Sequence, residues 1–256
     1  MESGRTFELA RGPGPLLATA LHAGHAVRPE VAALLATSDA DRLREEDPHT
    51  DRFARSLGNH LVAVRSRFEV DLNRPRTGAV YLGPADAWGL AVWRRPPPAE
   101  LLARSLADWD AFYRAAEGLL SGLIAREGRA LVLDLHAYCH RRGGPAAPPA
   151  DPASSPEVDL ATGSLERGRW APVVTALGRA FTAAGLDARE NARFRGGHFV
   201  TWLNGRFPGR CCAIAVEFKK TFVDEWTGAP DPARLGRLEA ALADATRAAL
   251  AAFQTC

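Results

Sequence analysis

Four short apolar runs constrain the fold of this chain more than any other feature of its sequence. They cover residues 15–21, 61–64, 130–135 and 211–218, and they are rich in Val, Leu, Ile and Ala. Continuous apolar runs of this length, bounded by loops or polar clusters, are typical of strands that are buried on both faces of a sheet. We therefore predict that the four runs are strands of one mostly parallel sheet.

Helical patterns separate the four runs. They cover approximately residues 29–35, 51–57, 100–126 and 170–184. Strands that alternate with helices favour an α/β domain. We predict a three-layer α/β/α arrangement around a central mixed, mostly parallel sheet.

The last helix has the clearest start, because Asp231 and Pro232 supply an N-cap and a first-turn proline. Its apolar face is marked by Leu235, Leu238, Leu242, Ala245, Ala249 and Phe253. By contrast, residues 143–156 are rich in proline and glycine, which disfavour both helix and strand. Motif residues lie on both sides of this segment. We therefore interpret it as a loop within a single domain that covers residues 1–256.

Charge and cysteine content exclude several kinds of partner. The 32 basic and 30 acidic residues give a formal charge of +2, which is too small for a duplex-binding surface unless the charge is strongly segregated. The four cysteines form no CxxC pair, which disfavours a disulfide framework and fits a reducing cytoplasm. No apolar run approaches the roughly 20 residues of a membrane span. We expect a cytoplasmic protein with no nucleic-acid or membrane partner.

Polar residues of catalytic type stand at the end of each apolar run. They are His22, then Arg65 and Arg67, then His136, and finally Glu217. Ligands of open α/β sheets bind beyond the carboxyl ends of the strands, so we expect these side chains to share one site. Two such histidines predict a mononuclear site for zinc or another divalent metal, with about three protein ligands.

A carboxylate is the expected third ligand, and the segment RLREEDPHTDRF offers Glu45, Glu46, Asp47 and Asp51. The alternative is a solvated segment that caps a helix. Glu217 presents a similar choice, because a carboxylate in a buried strand is costly unless it is paired or faces a polar site. It either neutralises a nearby lysine or arginine, or acts as a general base toward a metal-bound water.

The segment RSRFEVDLNRPR is the densest in polar residues. Arg67, Asn73 and Arg74 suit the recognition of a carboxylate, because a guanidinium matches it with two parallel hydrogen bonds and an amide adds a donor. The alternative is a surface turn held by Asp71. The residues alone leave both interpretations open.

Six motifs, in this order, resemble the N-formylglutamate amidohydrolases. They are LHAGHAVRP, EEDPHTDRF, VRSRFEVDLNRPR, LDLHAYCHRR, RGGHFVTWLNG and AVEFKKTFVDE. The string SRFEVDLNRP is the most specific of them. Members of this family remove the formyl group from N-formyl-L-glutamate in histidine degradation, and they are similar to the zinc carboxypeptidases and aspartoacylases. The resemblance covers most of the chain and implies a phosphorylase/hydrolase-like, zinc carboxypeptidase-like fold.

The resemblance also implies roles for individual residues. It makes His22, Asp47 and His136 the zinc ligands and Glu217 the catalytic base. It makes Arg67, Asn73 and Arg74 the contacts to the substrate carboxylate and the oxyanion, with Arg67 catalytic, and it places His198 at the substrate in a position where a tyrosine is expected. In the wider carboxypeptidase group, a carboxylate stands where this chain has His25, so His25 and Glu46 remain alternatives to Asp47.

These features predict a metal-dependent amidohydrolase that acts on a small N-acyl amino acid, with N-formyl-L-glutamate as the leading substrate. One alternative is a carboxypeptidase-like or aspartoacylase-like deacylase of another acyl amino acid or peptide. A second is a non-catalytic anion-binding protein with the same fold. The sequence has no GxSxG, HExxH, GxxxxGK[ST] or GxGxxG motif, which disfavours serine hydrolases, helix-borne zinc proteases, nucleotidases and dehydrogenases.

Overall fold

A seven-stranded mixed sheet forms the centre of the protein, whose structure, a computed structural model, describes residues 5–256. The strands are β1 (Phe7–Ala10), β2 (Leu16–Ala20), β3 (His60–Ala63), β4 (Ala130–Tyr138), β5 (Val158–Ala161), β6 (Ala188–Glu190) and β7 (Cys211–Lys219). Their spatial order is β1-β3-β2-β4-β7-β5-β6. Four of the six strand pairs are parallel, and the β1–β3 and β5–β7 pairs are antiparallel. The predicted mixed, mostly parallel sheet is confirmed.

Helices cover both faces of this sheet. They are α1 (Pro29–Ala32), α2 (Asp39–Glu45), α3 (Thr50–Arg55), α4 (Ala99–Glu127), α5 (Arg167–Ala183), α6 (His198–Arg206) and α7 (Pro232–Thr255). Residues of α3, α5 and α7 share a core cluster with one face of the central strands, and residues of α4 and α6 share a second cluster with the other face. The three layers predicted from the sequence are therefore present.

Strand β4 shows why the apolar runs predicted strands. Leu131, Leu133 and Leu135 belong to the first core cluster, whereas Ala130 and Val132 belong to the second. Each fully buried leucine side chain contributes about 1.5–3 kcal/mol through the removal of apolar surface from water. A strand between two helical layers must be apolar on both faces, so its sequence does not alternate.

The structure corrects the sequence-based prediction at β4 and at the shorter elements. Strand β4 continues to Tyr138, three residues beyond its predicted end, so His136 lies within the strand. The sequence did not predict β1, β5, β6, α2 or α6. These strands have only three or four residues each, and β1 and β6 form the two edges of the sheet, where partial exposure removes the apolar signal. The segment 143–156 contains one short 3-10 turn and is otherwise irregular, as predicted.

Within residues 5–256, no helix combines the length and the apolar character that crossing a bilayer requires.

Candidate active site

Two histidines face each other where β2 and β4 run side by side. His136 lies in β4, and His22 follows the end of β2 by two residues. The two strands are parallel neighbours, and the ring centroids of the two histidines are 4.8 Å apart. The loop after His22 packs closely on the end of β3, because a Cβ atom at Gly24 would lie 2.4 Å from the carbonyl oxygen of Arg65. This contact explains the glycine in the HAGH segment.

The segment between α2 and α3 brings Asp47 to the two histidines. The amide of Asp47 donates a hydrogen bond of 2.8 Å to the carbonyl oxygen of His22. The carboxylate oxygen Oδ2 of Asp47 lies 3.1 Å from Nδ1 of His136 and 3.4 Å from Nδ1 of His22. All three side chains are buried, and one ligand atom from each lies within 4.8 Å of the others. The structure thus brings together the three predicted metal ligands.

The opposite nitrogen of each ring is held by a second carboxylate. Nε2 of His22 lies 2.8 Å from Oδ1 of Asp71, and Nε2 of His136 lies 2.9 Å from Oδ2 of Asp134. Both aspartates are fully buried. A carboxylate that accepts from one ring nitrogen assigns the proton to that nitrogen and directs the lone pair of the other toward a metal. This assignment leaves both Nδ1 atoms available as ligands.

The electrostatics of the cluster favour positive charge between the three side chains. When each imidazole carries its proton on Nε2, the lone pairs of the two Nδ1 atoms and the carboxylate of Asp47 face one another in a buried space. This arrangement is unfavourable without a cation or additional protons. Burial works to raise the pKa of Asp47, but His136 and His22 hold it below its ordinary value. Burial works to lower the pKa of His136, but Asp134 and Asp47 hold it well above its ordinary value. Two imidazole nitrogens and one carboxylate oxygen are a ligand set typical of catalytic zinc sites, so the residues fit a divalent metal.

Asp71 connects the His22 side of the site to Arg67. Its Oδ2 atom accepts a 2.8 Å hydrogen bond from Nη2 of Arg67 and a second hydrogen bond from the hydroxyl of Tyr81. Burial works to raise the pKa of Asp71, but Arg67 and His22 keep it well below its ordinary value. Arg67 also donates from Nη1 to the carbonyl oxygen of Glu45 at 3.0 Å and from Nε to Tyr81 at 2.9 Å. Three contacts therefore fix this guanidinium in the wall of the site.

Glu217 lies on β7 in register with His136 on β4. No hydrogen bond or ion pair joins its carboxylate to another side chain among residues 5–256. Burial raises the pKa of Glu217 to about 7, with Asp47 adding to the shift and His136 opposing it. A carboxyl group with a pKa near neutrality is suited to both accepting and releasing a proton.

These side chains line a cavity of about 230 Å³. The predicted residues in its wall are His22, Asp47, Arg67, Asn73, His136 and Glu217. The other wall residues include Trp88 and a group of cations that the sequence did not single out, namely Arg44, Arg142, Arg195 and Lys220. The cavity therefore combines a candidate metal site, an unpaired carboxylate and a positively charged wall.

Two of the predicted substrate contacts do not line the cavity. Arg74 donates to the carbonyl oxygen of Asp86 at 2.8 Å, and its guanidinium lies 4.9 Å from the centroid of the Tyr81 ring. His198 begins α6 and lies beside two aromatic residues of α4, with ring centroids 5.8 Å from Tyr113 and 6.3 Å from Trp109. These neighbours hold both side chains away from the cavity wall.

The two alternatives for the third metal ligand pair with each other instead. Nδ1 of His25 lies 2.6 Å from Oε2 of Glu46, and the other oxygen of Glu46 accepts from the hydroxyl of Ser66. Neither residue lines the cavity. Of the three candidates, only Asp47 joins His22 and His136.

Sequence reasoning missed the role of the two supporting aspartates. Asp134 stands two residues before His136 in the same strand, and residues i and i+2 of a strand point to the same face. The pattern Asp-x-His in a predicted strand was therefore a usable signal. Asp71 has no comparable signal, because 49 residues separate it from His22.

Comparison with known proteins gives a family, and the structural matches include two that cover nearly the whole of both chains. The model of the family described as N-formylglutamate amidohydrolase matches residues 14–223. The crystal structure of N-formylglutamate amidohydrolase from Ralstonia eutropha JMP134 is 18% identical, covers 98% of this chain and 99% of that chain, and has a TM-score of 0.77. A gene product from Agrobacterium tumefaciens is also 18% identical, with 96% of each chain covered and a TM-score of 0.68. No curated protein matches the sequence.

Proposed function

The chain belongs to the N-formylglutamate amidohydrolase family, and we propose that it releases formate from N-formyl-L-glutamate. In this proposal the reaction depends on a divalent metal, for which zinc is the first candidate. Membership makes it a hydrolase of the amidohydrolase kind. The observation that supports the finer proposal is the convergence of His22, Asp47 and His136 beside the unpaired carboxylate of Glu217.

His22, Asp47 and His136 would hold the metal through two Nδ1 atoms and a carboxylate oxygen. When bound, a divalent cation supplies Lewis-acid chemistry, which activates water near neutral pH and polarises an acyl carbonyl. Asp71 and Asp134 keep the two imidazoles in the required tautomer and orientation.

Glu217 acts as the general base in this proposal. Its carboxylate takes a proton from the attacking water and returns it to the nitrogen of the leaving amino acid. Arg67 uses three of its five N–H groups to hold Asp71, Tyr81 and the carbonyl of Glu45, which leaves donors for the developing oxyanion. A fixed donor of this kind needs no reorganisation during the reaction.

Asn73 is held against the start of α6, where its Oδ1 atom accepts from the amide of Phe199 at 3.0 Å. A Cβ atom at Gly197 would lie 2.3 Å from the amide nitrogen Nδ2 of Asn73, so this contact requires glycine. The packing fixes the Asn73 carboxamide in the cavity wall, where we propose that it orients the substrate.

The test measures formate release by the purified protein after chelation and after addition of zinc. N-formyl-L-glutamate is compared with N-acetyl-L-glutamate, N-succinyl-L-glutamate and a short peptide. We expect zinc-dependent release of formate with the highest kcat/KM on the formyl compound. Hydrolysis of only the acetyl, succinyl or peptide substrates would move the protein to the deacylase alternative. A chain that binds no metal and gains no activity with zinc would favour the anion-binding alternative.

A further inference from the structure

Five positively charged side chains line the cavity, and the structure gives them different amounts of free hydrogen-bonding capacity. They are Arg44, Arg67, Arg142, Arg195 and Lys220. Arg44 and Arg142 share one carboxylate, because their Nη1 atoms lie 3.2 Å and 2.8 Å from Oε1 of Glu45. Arg44 also donates from Nη2 to the carbonyl oxygen of Arg141 at 3.0 Å. Both side chains are therefore held by the protein itself.

Two more of these cations hold the structure around the metal site. Arg67 is bound to Asp71, as described above. Lys220 is buried, and its ammonium group donates to the carbonyl oxygen of Arg44 at 2.7 Å and to that of Glu46. Lys220 thus ties the segment that carries Asp47 to the end of β7.

Arg195 differs from the other four. Its guanidinium makes no hydrogen bond or ion pair with any residue in the range 5–256, although Arg195 lines the same cavity. The backbone around it is held firmly. Its carbonyl oxygen accepts from the amide of Gly163 at 2.8 Å, and the carboxylate of Asp159 accepts from the amides of the three preceding residues, 192–194. A fixed backbone therefore presents an unpaired guanidinium.

Two unpaired amides follow Arg195 directly. Gly196 and Gly197 also line the cavity, and neither backbone N–H donates a hydrogen bond within the described chain. A guanidinium fork and backbone N–H groups are the donors that proteins use most readily for carboxylates. The three consecutive residues therefore combine positive charge with free main-chain donors.

We infer that Arg195, with the amides of Gly196 and Gly197, binds a carboxylate of the amino-acid half of the substrate. This inference rests on the proposed function. It assigns to Arg195 the carboxylate recognition that the sequence assigned to Arg74, whose guanidinium lies outside the cavity on Tyr81 and Asp86.

The experiment compares Arg195→Met with wild type in the zinc-loaded full chain. We expect the KM for N-formyl-L-glutamate to rise by about 10- to 100-fold, the loss typical of a hydrogen-bonded charge partner, while kcat changes by less than about threefold. Arg195→Lys keeps the charge but not the fork and should give an intermediate KM. The matched control is Arg193→Met, because Arg193 belongs to the same segment but packs over the Tyr138 ring at 5.0 Å and does not line the cavity.

Two further substrates identify the carboxylate. N-formyl-L-glutamine lacks the side-chain carboxylate, and the α-amide of N-formyl-L-glutamate lacks the main-chain carboxylate. For the compound that lacks the group bound by Arg195, wild type and Arg195→Met should have the same KM, whereas the other compound should retain the difference. An equal rise in the KM of Arg195→Met for N-formyl-L-glutamate and both amide compounds would overturn the inference. A KM for N-formyl-L-glutamate that stays unchanged in Arg195→Met would also overturn it. Absence of formate release by the wild type would instead contradict the proposed function itself, and with it the inference.

Discussion

The two walls of the active-site cavity differ in how completely their polar groups are paired. The histidine wall consists of His22, Asp47 and His136 with the two supporting carboxylates, Asp71 and Asp134. Each of these buried side chains has a polar partner within hydrogen-bonding or ion-pairing distance. Such networks hold their members in one arrangement.

A second group of cavity residues, called the open wall, consists of Glu217, Arg195, Gly196 and Gly197. The carboxylate of Glu217, the guanidinium of Arg195 and the backbone amides of the two glycines have no hydrogen-bond or ion-pair partner within residues 5–256. The comparison indicates that the histidine wall holds its side chains in fixed positions. The groups of the open wall are instead available to bind substrate and to transfer protons. Substitutions in the two walls should therefore have different effects on stability, metal affinity and turnover.

The largest effect on turnover is expected from Glu217→Gln in the open wall. Loss of the general base should lower kcat by about 10²- to 10⁴-fold. Zinc content should change little, because Glu217 is not one of the three residues of the candidate metal site. Steady-state kinetics and metal analysis test this. A variant with near-wild-type kcat would show that another group is the base.

Asp71→Asn in the histidine wall should affect stability and metal binding together. It removes the charge that neutralises Arg67, and it leaves one acceptor oxygen where the carboxylate offers one to Nε2 of His22 and a second to Arg67. We expect a loss of about 3–5 kcal/mol in the free energy of unfolding and a zinc affinity lower by about 10- to 100-fold. Denaturation and competition with a zinc chelator measure these changes.

Asp110→Asn is the matched control for Asp71→Asn, because Asp110 forms an exposed ion pair with Arg76. Exposed pairs contribute only about 0–1 kcal/mol. If both variants lost the same stability, Asp71 would have no special structural role in the histidine wall.

Asp134→Asn should have a smaller effect than Asp71→Asn. Asp134 supports His136 and accepts from the hydroxyl of Thr19 at 2.6 Å, but within residues 5–256 no arginine forms an ion pair with it. We expect zinc affinity to fall by about tenfold and the free energy of unfolding by about 1–3 kcal/mol. A loss of stability equal to that of Asp71→Asn would contradict the difference between the two supports.

A further prediction concerns the pH dependence of stability in the metal-free protein. The folded-state pKa of Glu217 is about 7, above its ordinary value of 4.5, so the folded protein binds this proton more tightly than the unfolded chain does. Wild type should therefore lose stability relative to Glu217→Gln as the pH rises from 4.5 to about 7, and the gap should stay constant at higher pH. Urea denaturation of both chelated proteins across this range measures the gap. A gap that does not change with pH would show that burial does not raise the pKa of Glu217.

The interior of the sheet was predictable because burial on both faces leaves a strong local signal. Strands β2, β3, β4 and β7 each overlap a predicted apolar run, with ends that differ by at most three residues. The edge strands β1 and β6 were not predictable in the same way, because each has only three or four partly exposed residues. Their pairing depends on the neighbouring strand and not on their own composition.

By itself, the sequence determined the fold class, the family and the two histidines of the candidate metal site. Apolar runs and family motifs are properties of short segments, so they can be read without coordinates. Only the tertiary structure decided that Asp47, and not Glu46 or His25, joins the two histidines, and that Arg195 lines the cavity while Arg74 does not. The physical reason is that the direction of a side chain depends on partners distant in the chain. Tyr81 and Asp86 hold Arg74, Ser66 helps to hold Glu46, and Asp71 reaches His22 from 49 residues away.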